Sequence, residues 1–138
     1  MPEKRTLKRA QKDKKQGKAP STQAGEFVRE EMDHIREGKH GARSTKQAIA
    51  IGLSKARRAG VKLKPPKKGT ASAATRKKAS QDLAAGRSGR KRKPSAKRSQ
   101  ATKRALKREG HSAASKRSLS KQAKSAASKR HARAKRSS

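Results

Sequence analysis

Large apolar side chains are concentrated in the middle of the chain. Nine of the 14 Leu, Ile, Val, Phe and Met residues fall within residues 27–63. In the first part of this stretch Val28, Met32 and Ile35 recur at i, i+4 and i+7, which is one face of a helix. The pattern predicts a helix over about residues 25–37.

A second helix is predicted from its end signals. Ser44 and Gln47 have capping-box spacing, in which the hydroxyl accepts the Gln47 amide N–H and the Gln47 side chain reaches back. Gly60 suits the position after the last turn, and Gly38 ends the first helix. Gly52, inside the second helix, costs about 1 kcal/mol relative to Ala. We expect it to let the two helices approach closely.

Large apolar residues are few in the chain as a whole. Leu, Ile, Val and Phe number 12 of 138 residues, well below the roughly 20% under which a highly charged chain is expected to be disordered. Alanine, with 24 residues, buries too little surface to offset the entropy of ordering. We therefore predict a mostly disordered protein with one small all-α helical hairpin.

Three segments follow from this pattern. Residues 1–23 form a disordered basic leader, residues 24–64 the helical hairpin module, and residues 65–138 a disordered tail rich in Lys, Arg, Ala and Ser. The tail contains an internal repeat, because Ser112–Arg117 recurs unchanged as Ser125–Arg130. We expect the tail to be disordered when free and partly helical when bound.

The net charge of the chain indicates what kind of partner it binds. The chain has 43 Lys and Arg against nine Asp and Glu, a net charge of +34. Residues 65–138 carry +23 of it. Duplex DNA presents about one negative charge per 1.7 Å, so phosphate is the expected partner. A membrane-lying helix would need Trp, Phe and Leu along one face, and the chain has a single aromatic residue.

The candidate contacts are the clustered cations of the tail together with those on the second helix. We expect them to bind phosphate without reading bases. They are Lys46, Lys55, Arg57 and Arg58 in the module, and Arg90, Lys91, Arg92, Lys93, Lys97, Arg98, Lys103, Arg104, Lys107, Arg108, Lys116, Arg117, Lys129, Arg130, Arg133, Lys135 and Arg136 in the tail.

Two resemblances are visible at this point. The run Lys46–Ala56, with Gly25–Val28 and Gly38–Gly41 before it, resembles a small bacterial domain family of unknown function, marked by a K-Q-A-I-A-I-x-L-S-x-A helix. The resemblance implies a bacterial origin rather than a mechanism. The tail is similar in composition to linker-histone tails and bacterial histone-like proteins, which implies DNA binding without sequence preference.

Sharper functions have less support. A helix-turn-helix protein would present base-reading side chains on its second helix, and good readers such as Asn are absent there. His34 and His40 straddle a turn, and the chain has no cysteine and no His pair at i, i+4. Incidental surface histidines are therefore expected, with no metal and no cofactor. The chain has too few apolar residues to enclose a pocket from which water is excluded, so we do not expect it to be an enzyme or to bind a small-molecule substrate.

The sequence thus indicates a cytoplasmic, nucleoid-associated, histone-like protein that binds duplex DNA in preference to RNA by phosphate neutralisation. It is not expected to bind a membrane. The apolar stripe and acidic residues of the 24–64 module predict self-association or a protein partner. Two alternatives stay open: an RNA- or ribosome-associated basic protein, and an interaction adaptor whose tail anchors it to nucleic acid.

Overall fold

In a computed structural model the chain is predominantly helical over the residues described, which are 2–88 and 95–137, with residues 136 and 137 described by backbone alone. Helix accounts for 74% of the structure. The α-helices in this part of the chain are α1 (Lys4–Lys15), α2 (Pro20–Arg36), α3 (Thr45–Arg58), α4 (Ala73–Ser88), α5 (Ala96–Arg108) and α6 (Lys116–Ser137), with a short 3₁₀ helix at Ser112–Ala114.

The two helices predicted from the apolar pattern are present, and three of their four ends lie where predicted; α2 begins at Pro20, five residues before its predicted start. The Ser44 hydroxyl accepts the N–H of Gln47 at 3.2 Å. The Gln47 side chain reaches back one residue further than expected and accepts from the Arg43 N–H at 2.6 Å. Gly38 and Gly60 adopt φ values of +77° and +104° and end α2 and α3. Local signals therefore determine the limits of this helical pair.

The close approach expected at Gly52 is also confirmed. A Cβ built on Gly52 would lie 2.7 Å from the Cα of Val28 on α2. Real side chains essentially never tolerate so short a contact, and the neighbour is backbone. Any larger residue at position 52 would push α3 away from α2.

The prediction of a mostly disordered chain was wrong. Helix α1 packs on α2 and α4 packs on α3, while α6 and the 3₁₀ helix contact α3. The leader therefore holds α1 and the start of α2, and the tail holds three further α-helices. The composition argument failed because it dismissed alanine as a core residue, whereas alanines are buried in both apolar clusters.

Buried alanines and side-chain hydrogen bonds hold the helices together where large apolar side chains are few. The Ile35 cluster contains four buried alanines besides Met32 and Ile35: Ala42, Ala48, Ala113 and Ala114. The Phe27 cluster brings Ala10 of α1 and Ala24 of α2 onto Ala56 and Val61. Alanines allow backbones to approach, and side chains then bond to carbonyls: Arg36 Nε donates to Ala114 O at 2.9 Å and Thr45 Oγ1 to Ala113 O at 2.7 Å.

Main-chain hydrogen bonds also attach the tail to the loop between α2 and α3. The N–H of Gly41 donates to Leu106 O at 2.8 Å and that of Ala42 to Gly110 O at 3.0 Å. A Cβ on Gly41 would lie 1.9 Å from Glu109 O. The end of α5 therefore docks on the loop between α2 and α3, which no periodicity in the tail could have predicted.

Each junction between consecutive helices from α1 to α4 contains a buried carboxylate. Glu30 accepts from Thr6 Oγ1 of α1 at 3.3 Å, and Glu31 pairs with Lys55 of α3. Asp82 of α4 accepts from Ser54 Oγ at 2.7 Å. These three acids are at most 4% exposed. Because a buried charge is costly unless it is bonded, each carboxylate fixes the relative position of two helices.

We expect Gly52→Ala to destabilise the protein by about 1–3 kcal/mol, because the added methyl group meets the α2 backbone. Urea unfolding followed by circular dichroism measures the change. Gly25→Ala is the matched control, since nothing lies within 4 Å of a Cβ built there and Ala favours the helix. Equal stability of the two variants would contradict close packing at Gly52.

We expect Asp82→Ala to cost about 1–3 kcal/mol, because Ser54 and Lys78 lose their acceptor at a buried position. Glu37→Ala, which removes an exposed acid, should change stability by less than about 0.5 kcal/mol. Thermal unfolding of both variants tests the comparison. A loss no larger for Asp82→Ala than for Glu37→Ala would show that the buried carboxylate does not hold α4 to α3.

Candidate nucleic-acid interface

The basic side chains form the surface of the molecule. Every Lys and Arg whose side chain the structure describes is exposed, apart from Lys55, Arg57 and Arg76. The acids are distributed in the opposite way: Asp13, Glu30, Glu31 and Asp82 are buried, and of the nine only Glu37 is fully exposed. The chain therefore shows solvent an almost purely cationic face.

Most of the predicted phosphate contacts lie on this face. They occur on α3, α5 and α6, and α5 has no buried residue. The exposed ones are Lys46, Arg58, Lys97, Arg98, Lys103, Arg104, Lys107, Arg108, Lys116, Arg117, Lys129, Arg130, Arg133 and Lys135. The predicted contacts Arg90, Lys91, Arg92 and Lys93 lie outside the described residues, and Arg136 is described by its backbone only.

Lys55 and Arg57 are placed differently from the other predicted contacts. Lys55 is half-buried against Glu31. Arg57 is buried, and its guanidinium donates to the carbonyls of Leu63 and Lys64, both at 3.1 Å. Burial lowers the pKa of Arg57. Both side chains hold the end of α3 in place, so we exclude them from the candidate interface. The sequence could not separate them from exposed neighbours, because Lys and Arg give no periodic signal here.

The fold brings predicted contacts from two distant segments together. The pKa of Lys129 on α6 is lowered by contact with Lys46 near the start of α3, and Arg133 acts in the same direction. Like charges held at contact repel each other, and an anion between them would relieve that repulsion. Lys46 and Lys129 therefore mark a place where α3 and α6 could share one phosphate.

The geometry of α3 does not suit a recognition helix. It contacts α2, α4, α6 and the 3₁₀ helix, and it buries Thr45, Ala48, Gly52, Ala56 and Arg57. The Gln47 side chain is used at the start of the helix. A helix that reads bases must present one free face to the major groove, and α3 is covered on most sides.

A group of histidines and carboxylates forms where α2 meets the following loop. His34 Nε2 lies 2.9 Å from Glu3 Oε1, and His40 Nε2 lies 3.2 Å from Glu31 Oε2. The hydrogen bond from His34, together with Arg5 and Lys39, lowers the pKa of Glu3 to about 2. Sequence reasoning placed the two histidines near each other but discounted them as metal ligands, because a turn lies between them and the chain has no His pair at i, i+4 and no cysteine. That turn, at Gly38, is what brings His40 back beside His34.

Two of the acidic residues of α2, Glu30 and Glu31, also have a different place from the expected one. They predicted a face repelled by phosphate and turned toward a protein partner. Glu30 and Glu31 instead point into the fold, and the apolar stripe of α2 is covered by α1, α3 and the 3₁₀ helix. The apolar stripe, Glu30 and Glu31, on which the prediction of self-association was based, thus make contacts within one chain.

None of the helices in the described part of the chain has the length and apolar character that a membrane span requires.

Comparison with known proteins confirms the resemblance to a small domain family of unknown function. No curated protein matches the chain, and no solved structure does. The matching family model covers α1, α2, α3 and the connection toward α4, so it includes the buried carboxylates Glu30 and Glu31. Residues 3–68 of this chain match the family of unknown function DUF6496.

Proposed function

We propose that this protein binds duplex DNA without sequence preference, by placing exposed Lys and Arg side chains against phosphates, as a nucleoid-associated protein does. The observation that carries the proposal is the separation of charge between interior and surface. Acids are used at helix junctions, whereas described cations are exposed with three exceptions. The net charge of +34 is therefore available to a polyanion rather than neutralised within the fold.

The dimensions of α6 support a duplex as the partner. Its 22 residues give a rod about 33 Å long, close to one helical turn of DNA. Helix α6 contains no acidic residue. Cations occur along its whole length, from Lys116 to Lys135. A rod of this length can follow several phosphates of one strand at once.

The lack of stacking groups favours duplex over single-stranded nucleic acid. Proteins that bind single strands use aromatic side chains as platforms for bases. Phe27 is the one Phe, Tyr or Trp residue in the sequence, and it is 1% exposed in the core. Contacts from this surface would therefore go to the phosphate backbone.

Salt dependence tests the electrostatic basis of the proposal. We expect the affinity for a random-sequence duplex, measured by fluorescence anisotropy, to fall steeply with salt, with a log–log slope of about −0.9 per phosphate contacted. A slope near zero would exclude phosphate neutralisation.

Competition with duplex RNA, and with DNA duplexes of one defined sequence, tests selectivity. A preference above about a thousandfold for RNA, or for one sequence, would overturn the proposal.

Charge removal tests which part of the surface binds. Replacing four exposed cations of α6 by Gln, namely Lys116, Arg117, Lys129 and Arg130, should make the salt slope shallower by about 1.8, because the two Lys-Arg pairs face different sides of α6 and one duplex contacts only one pair. The matched control removes the same charge from α1, through Lys8, Arg9, Lys12 and Lys15. A slope change as large in the control would mean that net charge, rather than α6, sets the affinity.

A further inference from the structure

The end of α2 and the loop after it gather metal-ligand atoms at one point. One ligand-capable atom each from Glu31, His34 and His40 lies within 4.8 Å of the other two. Glu31 and His34 share one face of α2 at i, i+3, and His40 returns to them across the Gly38 turn. The side chain of Glu31 is 1% exposed and those of His34 and His40 are 13% and 16% exposed. The group is thus enclosed but reachable from solvent.

The spacing of these atoms suits a small dication. Two ligands bonded to tetrahedral Zn²⁺ at roughly 2.0–2.2 Å lie about 3.3 Å apart. His40 Nε2 and Glu31 Oε2 are 3.2 Å apart. An ion can therefore replace the proton between them with little movement of either side chain. The third ligand-capable atom, from His34, lies within 4.8 Å of both.

The outer contacts of both histidines have the form found around metal ligands. A ligating His usually bonds through its second nitrogen to a carbonyl or a carboxylate, which fixes the ring. His40 Nδ1 bonds to Gly41 O at 2.9 Å, and His34 Nε2 bonds to Glu3 Oε1 at 2.9 Å. These bonds leave His40 Nε2 and His34 Nδ1 as the nitrogens available to an ion.

Charge near the group selects the kind of ion. Lys55 occupies Oε1 of Glu31, and Lys39 lies 3.5 Å from Glu3. Hard cations such as Mg²⁺ need several oxygen ligands and a strongly negative site, and these lysines oppose both. Two imidazoles and one carboxylate are the donors that Zn²⁺ accepts. Glu30 Oε2, buried without a hydrogen-bond partner, adds negative potential close to Glu3.

We propose that Glu31, His34 and His40 form a Zn²⁺-binding site, with Glu3 and the Gly41 carbonyl as orienting partners. The ion links α2 to the loop on which the end of α5 docks through Leu106 and Gly110. Binding therefore stabilises the attachment of the tail to the helical core, independently of any contact with DNA.

Titration of the full chain with ZnCl₂ after chelator treatment tests the site. We expect calorimetry to give one Zn²⁺ per chain, and the melting temperature to rise with Zn²⁺ but not with MgCl₂. His34→Ala and His40→Ala should each weaken binding by more than about 100-fold, the upper range for loss of an outer partner alone. Glu3→Gln should weaken it by about 10- to 100-fold. His131→Ala, at an exposed position of α6, is the matched control and should bind normally.

Several results would overturn the assignment. One is binding that survives both His34→Ala and His40→Ala, and another is binding lost in His131→Ala. Loss in His34→Ala with full binding in His40→Ala would place the ion on the overlapping group Glu3, Glu30 and His34 instead. If the alanine variants do not fold, CoCl₂ added to the unaltered chain decides. The intense visible bands of tetrahedral Co²⁺ support the site, and their absence rejects it.

Discussion

Burial of the carboxylates is the constraint on which the rest of the structure depends. A chain with a net charge of +34 repels itself, and its few acids are the groups that can oppose this from within. Glu30, Glu31 and Asp82 lie at the three successive junctions between α1 and α4. Each is bonded to a hydroxyl or an ammonium of the neighbouring helix. Helix packing and surface charge are therefore two results of one arrangement: acids placed at junctions leave the exterior to Lys and Arg.

The parts of the fold that could be predicted are those with local signals. The apolar period of α2, the Ser44 cap and the glycines after α2 and α3 predicted the helical pair and its limits apart from the start of α2, which lies at Pro20. Helices α1, α4, α5 and α6 lack such a period in large side chains. They are held largely by single polar contacts between residues far apart in sequence, such as Thr6 of α1 to Glu30, Ser54 to Asp82 of α4 and the Gly41 N–H to Leu106 O of α5. Such contacts depend on the tertiary arrangement, so composition alone pointed to disorder.

The residues of the candidate sites also divide into those whose placement could be predicted from the sequence and those whose placement could not. Exposure of the basic clusters on α5 and α6 followed from the small number of large apolar residues there, which are Leu106 and Leu119. Internal use of Lys55 and Arg57 could not be predicted, because their partners are Glu31 and the carbonyls of the segment that follows α3. His34 and His40 were discounted because they straddle a turn and do not form a pair at i, i+4. A turn with positive φ at Gly38 replaces helical spacing by chain reversal.

The repeated hexapeptide shows two environments for one sequence. In Ser112–Arg117 the alanines are buried in the Ile35 cluster, and the Ser115 hydroxyl accepts the N–H of Ser118 as α6 begins. The copy at Ser125–Arg130 lies inside α6, with Ala127 exposed. Thirteen residues of helix correspond to about 20 Å of length and a rotation of about 220°. The Lys-Arg pairs of the two copies therefore face different sides of α6. If α6 binds phosphate as proposed, a duplex bound at one Lys-Arg pair leaves the other pair pointing away from it. The free pair can then bind a second duplex, so the helix has the geometry to cross-link two DNA duplexes.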